Sequence, residues 1–214
     1  MLPLIDAHLD LAWNAIYFDR DLTDPLAAIN DREKDLADSA ARGSAAVCFE
    51  EMRRGRVAVC LATIMARANP LALVPPGPRR IDVDYGQQEV AYAMGQAQLA
   101  YYRLLEQRGV LCQIHSREQL DAYWKSTTSG ADDHPLGFIL VMEGADPIVD
   151  VDQLCQWQRD GLRCLSLAHY GPGHYSSGTG EEGGLTDRGR ELLVEMQRLG
   201  IVLDLVHSTA RSYE

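Results

Sequence analysis

The stretch Gly137-Phe138-Ile139-Leu140-Val141-Met142-Glu143 is apolar up to its last residue, a carboxylate, and Gly144 follows. Read as a β-strand it alternates faces, so Ile139 and Val141 share a face with Glu143. A strand of this kind lies in an apolar interior and offers a reactive group only at its C-terminal end, which is how (β/α)-barrel strands behave. Two further stretches repeat the pattern. Leu162-Arg163-Cys164-Leu165-Ser166-Leu167-Ala168-His169 places Leu165 and Leu167 on the face of His169. Ile201-Val202-Leu203-Asp204-Leu205-Val206-His207 places Leu203 and Leu205 on the face of His207.

The first strand is different. In Leu4-Ile5-Asp6-Ala7-His8-Leu9-Asp10, alternation puts Leu4, Asp6, His8 and Asp10 on one face. Unpaired charges there are too costly to bury in an ordinary core. A histidine and a carboxylate two residues apart can instead converge on one metal ion. A lone H-x-D is short and common and also fits a hydrated edge strand, so its weight comes from the three later strands. The run 57–65 is apolar throughout, as a strand covered on both sides requires. It ends without a ligand-type residue, against the pattern.

Between the strands lie helical segments. A helix is expected over 44–54, stopped by Gly55, and a long one over 86–108 with Val90, Met94, Ala97, Tyr101 and Leu104 at helical spacing and Gly109 as its stop. A short strand over 110–114 precedes a helix at 116–124 that opens on Ser116 and Gln119 as a capping box. A helix near 151–159 precedes Gly161, and another over 187–199 runs from the cap Thr186 to Gly200. The segment 11–30 reads as irregular. The proline-rich stretch 66–85 and the glycine-dense 170–184 read as long loops that overhang the strands' C-terminal ends.

Strands alternating with helices specify a parallel sheet, and right-handed crossovers bring all its C-terminal ends to one side. His8, Asp10, Glu143, His169 and His207 then meet there. Imidazole and carboxylate suit a borderline metal such as zinc, and a glutamate has two oxygens with which to bridge two ions. Asp6 lies one step deeper, where it would orient a ligating histidine. Asp204 faces away from His207 and reads as structural. Gly178-Thr179-Gly180-Glu181-Glu182-Gly183 matches G-x-G-x-x-G, but its two glutamates would repel a phosphate. His174 reads as a solvated loop histidine, and His115 and His134 receive no role.

The chain has 214 residues, 46% hydrophobic and 24% charged, within the range of a single soluble domain over 1–214. A net charge of −11 with no basic cluster argues against a nucleic-acid partner. No apolar run is long enough to span a bilayer, and nothing at the start resembles a signal peptide. Five cysteines without a C-x-x-C pair fit buried thiols in a reducing compartment, so a cytoplasmic location is expected. A homo-oligomer is left open.

His8-Leu9-Asp10, Val141-Met142-Glu143-Gly144, Leu165 to His169 and Gly200 to Ser208 stand in the order and rough spacing of the membrane (renal) dipeptidases, which this chain resembles from residue 4 onward. The resemblance implies an α/β fold, a TIM-type barrel of which the chain carries about five of eight β/α units. It implies two Zn²⁺ ions: His8 and Asp10 on the first, Glu143 bridging both and catalytic, and His207 on the second. His169 would be no ligand but a catalytic residue contacting the dipeptide substrate near its scissile carbonyl. The family cleaves dipeptides with tolerance of D-residues on the C-terminal side. It also uses a further histidine ligand after the sixth strand, a substrate-binding arginine and a catalytic aspartate at the eighth, none of which these residues supply. The 214 residues alone are therefore expected to aggregate or to hold at most one tight metal, and to lack dipeptidase activity. Two alternatives stay open: an amidohydrolase acting on a non-peptide amide or lactone, and a non-catalytic half-barrel that binds a partner.

Overall fold

The computed structural model describes residues 2–69, 84–128 and 134–214. Strand β1 (Leu4–Leu9) leads into helix α1 (Leu11–Phe18), then α2 (Leu26–Glu33) and α3 (Phe49–Arg54). Strand β2 (Val57–Ile64) is followed by two short strands, β3 (Arg67–Ala68) and β4 (Asp84–Tyr85), and by the long helix α4 (Gln88–Gln107). Next come β5 (Leu111–Gln113), α5 (Arg117–Thr128), β6 (Leu136–Met142) and α6 (Leu154–Arg159), the last entered through a 3₁₀ turn at Val151–Gln153. The chain then runs through β7 (Leu162–Ser166), α7 (Asp187–Leu199), β8 (Val202–Asp204) and α8 (Ala210–Tyr213). Among the described residues no helix is long and apolar enough to cross a membrane.

The main sheet has the order β1-β2-β6-β7-β8 and every pairing is parallel. β5 pairs only with the first residues of β6, Leu111 opposite Leu136. The result is an incomplete TIM-type barrel of α/β class, a half-barrel with helices on its outer side. Ala62, Ile64, Phe138, Leu140, Met142, Leu162 and Leu165 form the outer face and pack on Leu99, Tyr102 and Trp157. On the two outermost strands Leu4, Ile5, Val202 and Leu203 are exposed.

Several expectations need correction. Residues 11–30 are not irregular: Leu11, Ala12, Ala15 and Phe18 are buried at helical spacing, and Asp19 closes α1 in the left-handed conformation at φ 55°. The third helix starts at Phe49 rather than 44, because the Asn30 side chain captures both the N–H and the C=O of Ala45. The buried face of α4 is shifted by one residue, to Ala91, Leu99, Tyr102 and Leu105, leaving Val90 and Leu104 exposed. Two polar groups decide this. Gln98 donates to the Met65 C=O at 2.7 Å and accepts its N–H at 2.9 Å, and the Tyr102 hydroxyl donates to Thr63 O at 2.8 Å. Both satisfy backbone groups at the end of β2 that would otherwise be buried without partners. The cap at Thr186 and the left-handed Gly200 at φ 68° bound α7 as expected. Of the proline-rich stretch, residues 70–83 lie outside the described residues.

One buried charge network ties the α1–α2 region to β1. Arg20 forks onto Glu33 with both contacts at 2.8 Å, and Arg42 reaches the same carboxylate at 3.0 Å. Arg20 also donates to Asn14, which donates to the backbone oxygen of Asp10 at 3.0 Å. The hydrogen bond from Arg20, aided by Gly43 N–H and Arg42, holds Glu33 at about 2 against an ordinary 4.5. A carboxyl depressed on folding stabilises the native state above its unfolded pKa and stops doing so as pH falls through its folded one. Wild-type stability should therefore decline between pH 4.5 and about 2, and Glu33→Gln should lose that part of the decline. At neutral pH Glu33→Gln leaves buried guanidinium unpaired and should cost about 3–5 kcal/mol. Urea titrations across pH measure both, and an unchanged acid limb in the variant would contradict this account.

Candidate metal centre

At the C-terminal end of the sheet the five residues singled out by the sequence come together. His8 is the penultimate residue of β1, and Asp10 is the N-cap of α1 just beyond it. Glu143 follows β6 directly and is 7% exposed. The turn after it needs Gly144 at φ 86°, whose N–H donates to Ser166 Oγ at 2.8 Å and fixes β6 against β7. His169 and His207 are not the strand ends that alternation suggested. His169 lies three residues past β7, and His207 three residues past β8 in a turn at φ 66°. A left-handed histidine is uncommon and costs roughly 1–2 kcal/mol, the kind of strain that surrounding structure must hold in place.

Glu143 is the hub. Its Oε2 lies 3.4 Å from His8 Nε2, which is also 3.4 Å from Asp10 Oδ1. Its Oε1 lies 3.0 Å from His207 Nε2 and 3.6 Å from His169 Nε2. Two donor groups result, His8–Asp10–Glu143 and Glu143–His169–His207, each with its donor atoms within 4.8 Å of one another. Donors set tetrahedrally around one zinc at about 2.1 Å are about 3.4 Å apart. His8 Nε2 already has that spacing to both Asp10 and Glu143, so these residues fit a divalent cation. Burial raises the Glu143 carboxyl above its ordinary value, the Asp10 carboxylate adds to this, and His8 and His207 oppose it. Two crowded carboxylates held partly out of water favour a cation between them. Burial also pushes His169 down to about 4, with His207, Arg67 and His8 adding, so its imidazole is neutral at ordinary pH. Beneath the centre a cavity of about 670 Å³ opens between Leu61, Cys164 and Leu203.

Supporting groups escaped the sequence reading. Thr63, buried near the end of β2, donates its hydroxyl to Asp10 Oδ1, so the strand without a ligand supplies an orienting group instead. Thr179 Oγ1 lies 2.9 Å from His207 Nδ1, and Arg67 Nη1 lies 3.2 Å from His169 Nδ1. The only advance sign was a threonine one residue before the end of an otherwise apolar strand. The glycine-dense loop does come over the strands' C-terminal ends, and its G-x-G-x-x-G has a packing use. A Cβ at Gly178 would lie 1.8 Å from the His169 carbonyl oxygen. Asp6 accepts the backbone N–H of His8 at 3.0 Å rather than orienting its ring. Asp204 caps the turn through Val206 N–H, and His174 is not simply solvated, since it pairs with the buried Asp146 at 3.1 Å.

The family model described as membrane dipeptidase (peptidase family M19) matches residues 1–214. The chain belongs to the membrane dipeptidase family. Among solved structures, a metallopeptidase called dipeptidase AC is 23% identical at a TM-score of 0.69, with 99% of this chain and 58% of that one covered. A metallopeptidase from Rhodobacter sphaeroides, liganded with a phosphinate mimic of the dipeptide L-Ala-D-Ala, is 22% identical at a TM-score of 0.68, covering 99% and 60%. An amidohydrolase from Pseudomonas aeruginosa is 19% identical at a TM-score of 0.57, covering 77% and 43%. These likenesses show the fold, and the chain spans less than two thirds of each relative's length. No curated protein matches it. A metal cofactor goes with the family, and the two donor groups around Glu143 are where this chain's residues fit one.

Thr63→Val keeps shape while removing the hydroxyl that orients Asp10. It should weaken zinc binding about 10–100-fold, as loss of an outer hydrogen bond to a ligand does, with the fold retained. Zinc competition titration measures this, and unchanged affinity would show that Asp10 needs no such orientation.

Proposed function

We propose that this protein hydrolyses dipeptides at a centre of two zinc ions bridged by Glu143. The observation that carries the reading is the division of the Glu143 carboxylate, one oxygen toward His8 and the other toward His207. A carboxylate so placed serves two cations at once. His8 and Asp10 would complete the first position, and His207 belongs to the second. Zinc held there would supply Lewis acidity toward a peptide carbonyl and toward the attacking water.

The chain's own residues do the rest. Glu143 keeps the two positions at a fixed separation because β6 is packed on both edges, by β2 and by β7. His169 stands beside Oε1 as a neutral imidazole and donates a hydrogen bond to the carbonyl oxygen as charge develops on it. The dipeptide mimic bound by the Rhodobacter sphaeroides relative supports a dipeptide as substrate, with a D-residue accepted on the C-terminal side.

The test is zinc content and dipeptide cleavage, assayed on the longest natural form of the protein. Cleavage should require zinc and stop on chelation. Glu143→Gln should lose both metal and turnover, because a neutral amide is a poor bridge between cations. His169→Ala should keep its metal while turnover falls about 10²–10³-fold. Equal metal loss in the two variants would refute the role of His169. Cleavage of a non-peptide amide or lactone with no dipeptide turnover would refute the substrate class.

A further inference from the structure

The two imidazoles beside Glu143 Oε1 have different partners at Nδ1, one that can donate or accept and one that can only donate. The Nδ1 of His207 meets a hydroxyl, Thr179 Oγ1, which can accept a hydrogen bond. Because a hydroxyl serves either role, this contact permits the arrangement of a ligating histidine, whose outer nitrogen donates while its inner nitrogen keeps a lone pair for the metal. The Nδ1 of His169 meets instead a guanidinium nitrogen, Arg67 Nη1, at 3.2 Å. Arginine has no acceptor and does not lose its proton in a protein. His169 Nδ1 must therefore accept, and the ring proton sits on Nε2, facing Glu143.

Arg67 is itself clamped. β3 and β4 pair in register with Arg67 opposite Asp84, and the guanidinium forks onto that carboxylate at 2.5 and 2.7 Å. The remaining nitrogen, Nη1, reaches both His169 Nδ1 and the Tyr170 carbonyl oxygen at 3.2 Å. Next to it, Ala68 N–H donates to the buried Asp146 at 2.9 Å, and Asp146 also holds His174. Because Asp84 takes the Nε–Nη2 edge of the guanidinium and His169 and Tyr170 take Nη1, the side chain is poorly suited to bind a substrate carboxylate, and well suited to hold a neighbour.

We propose that Arg67, fixed by Asp84, is a positioning residue that excludes His169 from the metal centre and presents its Nε2–H toward the substrate. Spacing alone would make His169 a third ligand beside Glu143 and His207; the donor at its back prevents this. The use of the Nε2–H on a peptide carbonyl rests on the dipeptidase reading, whereas the exclusion from the metal does not.

The test uses the 214-residue chain with ¹⁵N-labelled histidine rings, His169→Ala for assignment, and zinc alone as the probe. At saturating zinc His8 and His207 should bind through Nε2 while His169 keeps its Nε2 proton. In Arg67→Met the His169 Nδ1 resonance should move to its unbonded position. Zinc should then remove the Nε2 proton, and affinity at the Glu143–His207 position should rise about tenfold as His169 joins. A fold merely loosened by the substitution would bind zinc more weakly. Arg67→Lys keeps a charged donor and should retain the wild-type pattern. The proposal is overturned if wild-type His169 gives up its Nε2 proton to zinc, or if Arg67→Met leaves the Nδ1 resonance in place. Should Arg67→Met not fold, the wild-type and Arg67→Lys spectra decide it. Absence of dipeptide cleavage by the longest natural form of the protein, with these spectra as described, would refute the dipeptidase reading alone.

Discussion

A single carboxylate at the end of an apolar strand organises the centre. Glu143 is buried, and a buried carboxylate needs partners on both oxygens. His8 stands at one and His207 at the other, on strands that lie on opposite sides of β6 in the sheet. That meeting depends on parallel pairing, since an antiparallel neighbour would send its reactive end to the far side. It depends also on the short-range fixing of the turn after β6, where Gly144 takes φ 86° and donates to Ser166. The helices pack on the outer face, and the cavity lies on the inner one.

Around this hub the second layer acts through backbone and hydroxyl groups. Tyr102 on α4 donates to Thr63 O and accepts the N–H of Ala12, which follows the metal-side residues of β1. Thr63 in turn holds Asp10. One tyrosine thus links a helix, the end of β2 and the start of α1. The Arg20–Glu33–Arg42 network reaches the same segment from the other side through Asn14 and the Asp10 backbone oxygen. Asp10 is therefore constrained both at its carboxylate and at its main chain.

The parallel fold was legible because β2 and β6 carry nearly continuous apolar runs, and α7 because Thr186 and Gly200 mark both its ends. Glu143, His8 and Asp10 were legible only jointly, because several strands end in ligand-type residues although each residue alone has a bland explanation. His169 and His207 come to the cluster for a reason alternation does not give: they sit on turns beyond their strands, so alternation says nothing about where they point. The helix α1 was hidden by the polar residues around it, although Leu11, Ala15 and Phe18 have helical spacing. On α4 the buried face was missed because Gln98 and Tyr102 earn their burial by hydrogen bonding to β2, which hydrophobic periodicity does not register. Arg67 and Thr179 are far from their histidines in sequence, and only the folded loops bring them there.

The most direct test of the central claim is an anomalous diffraction map of crystals of the longest natural form of the protein, saturated with zinc. Two peaks should lie about 3.5–4 Å apart, the spacing of two-metal centres, with one Glu143 oxygen on each. One peak should be bounded by His8 and Asp10, and the other by His207, with His169 outside bonding distance of both. A single peak, or two peaks that do not share Glu143, would contradict the account.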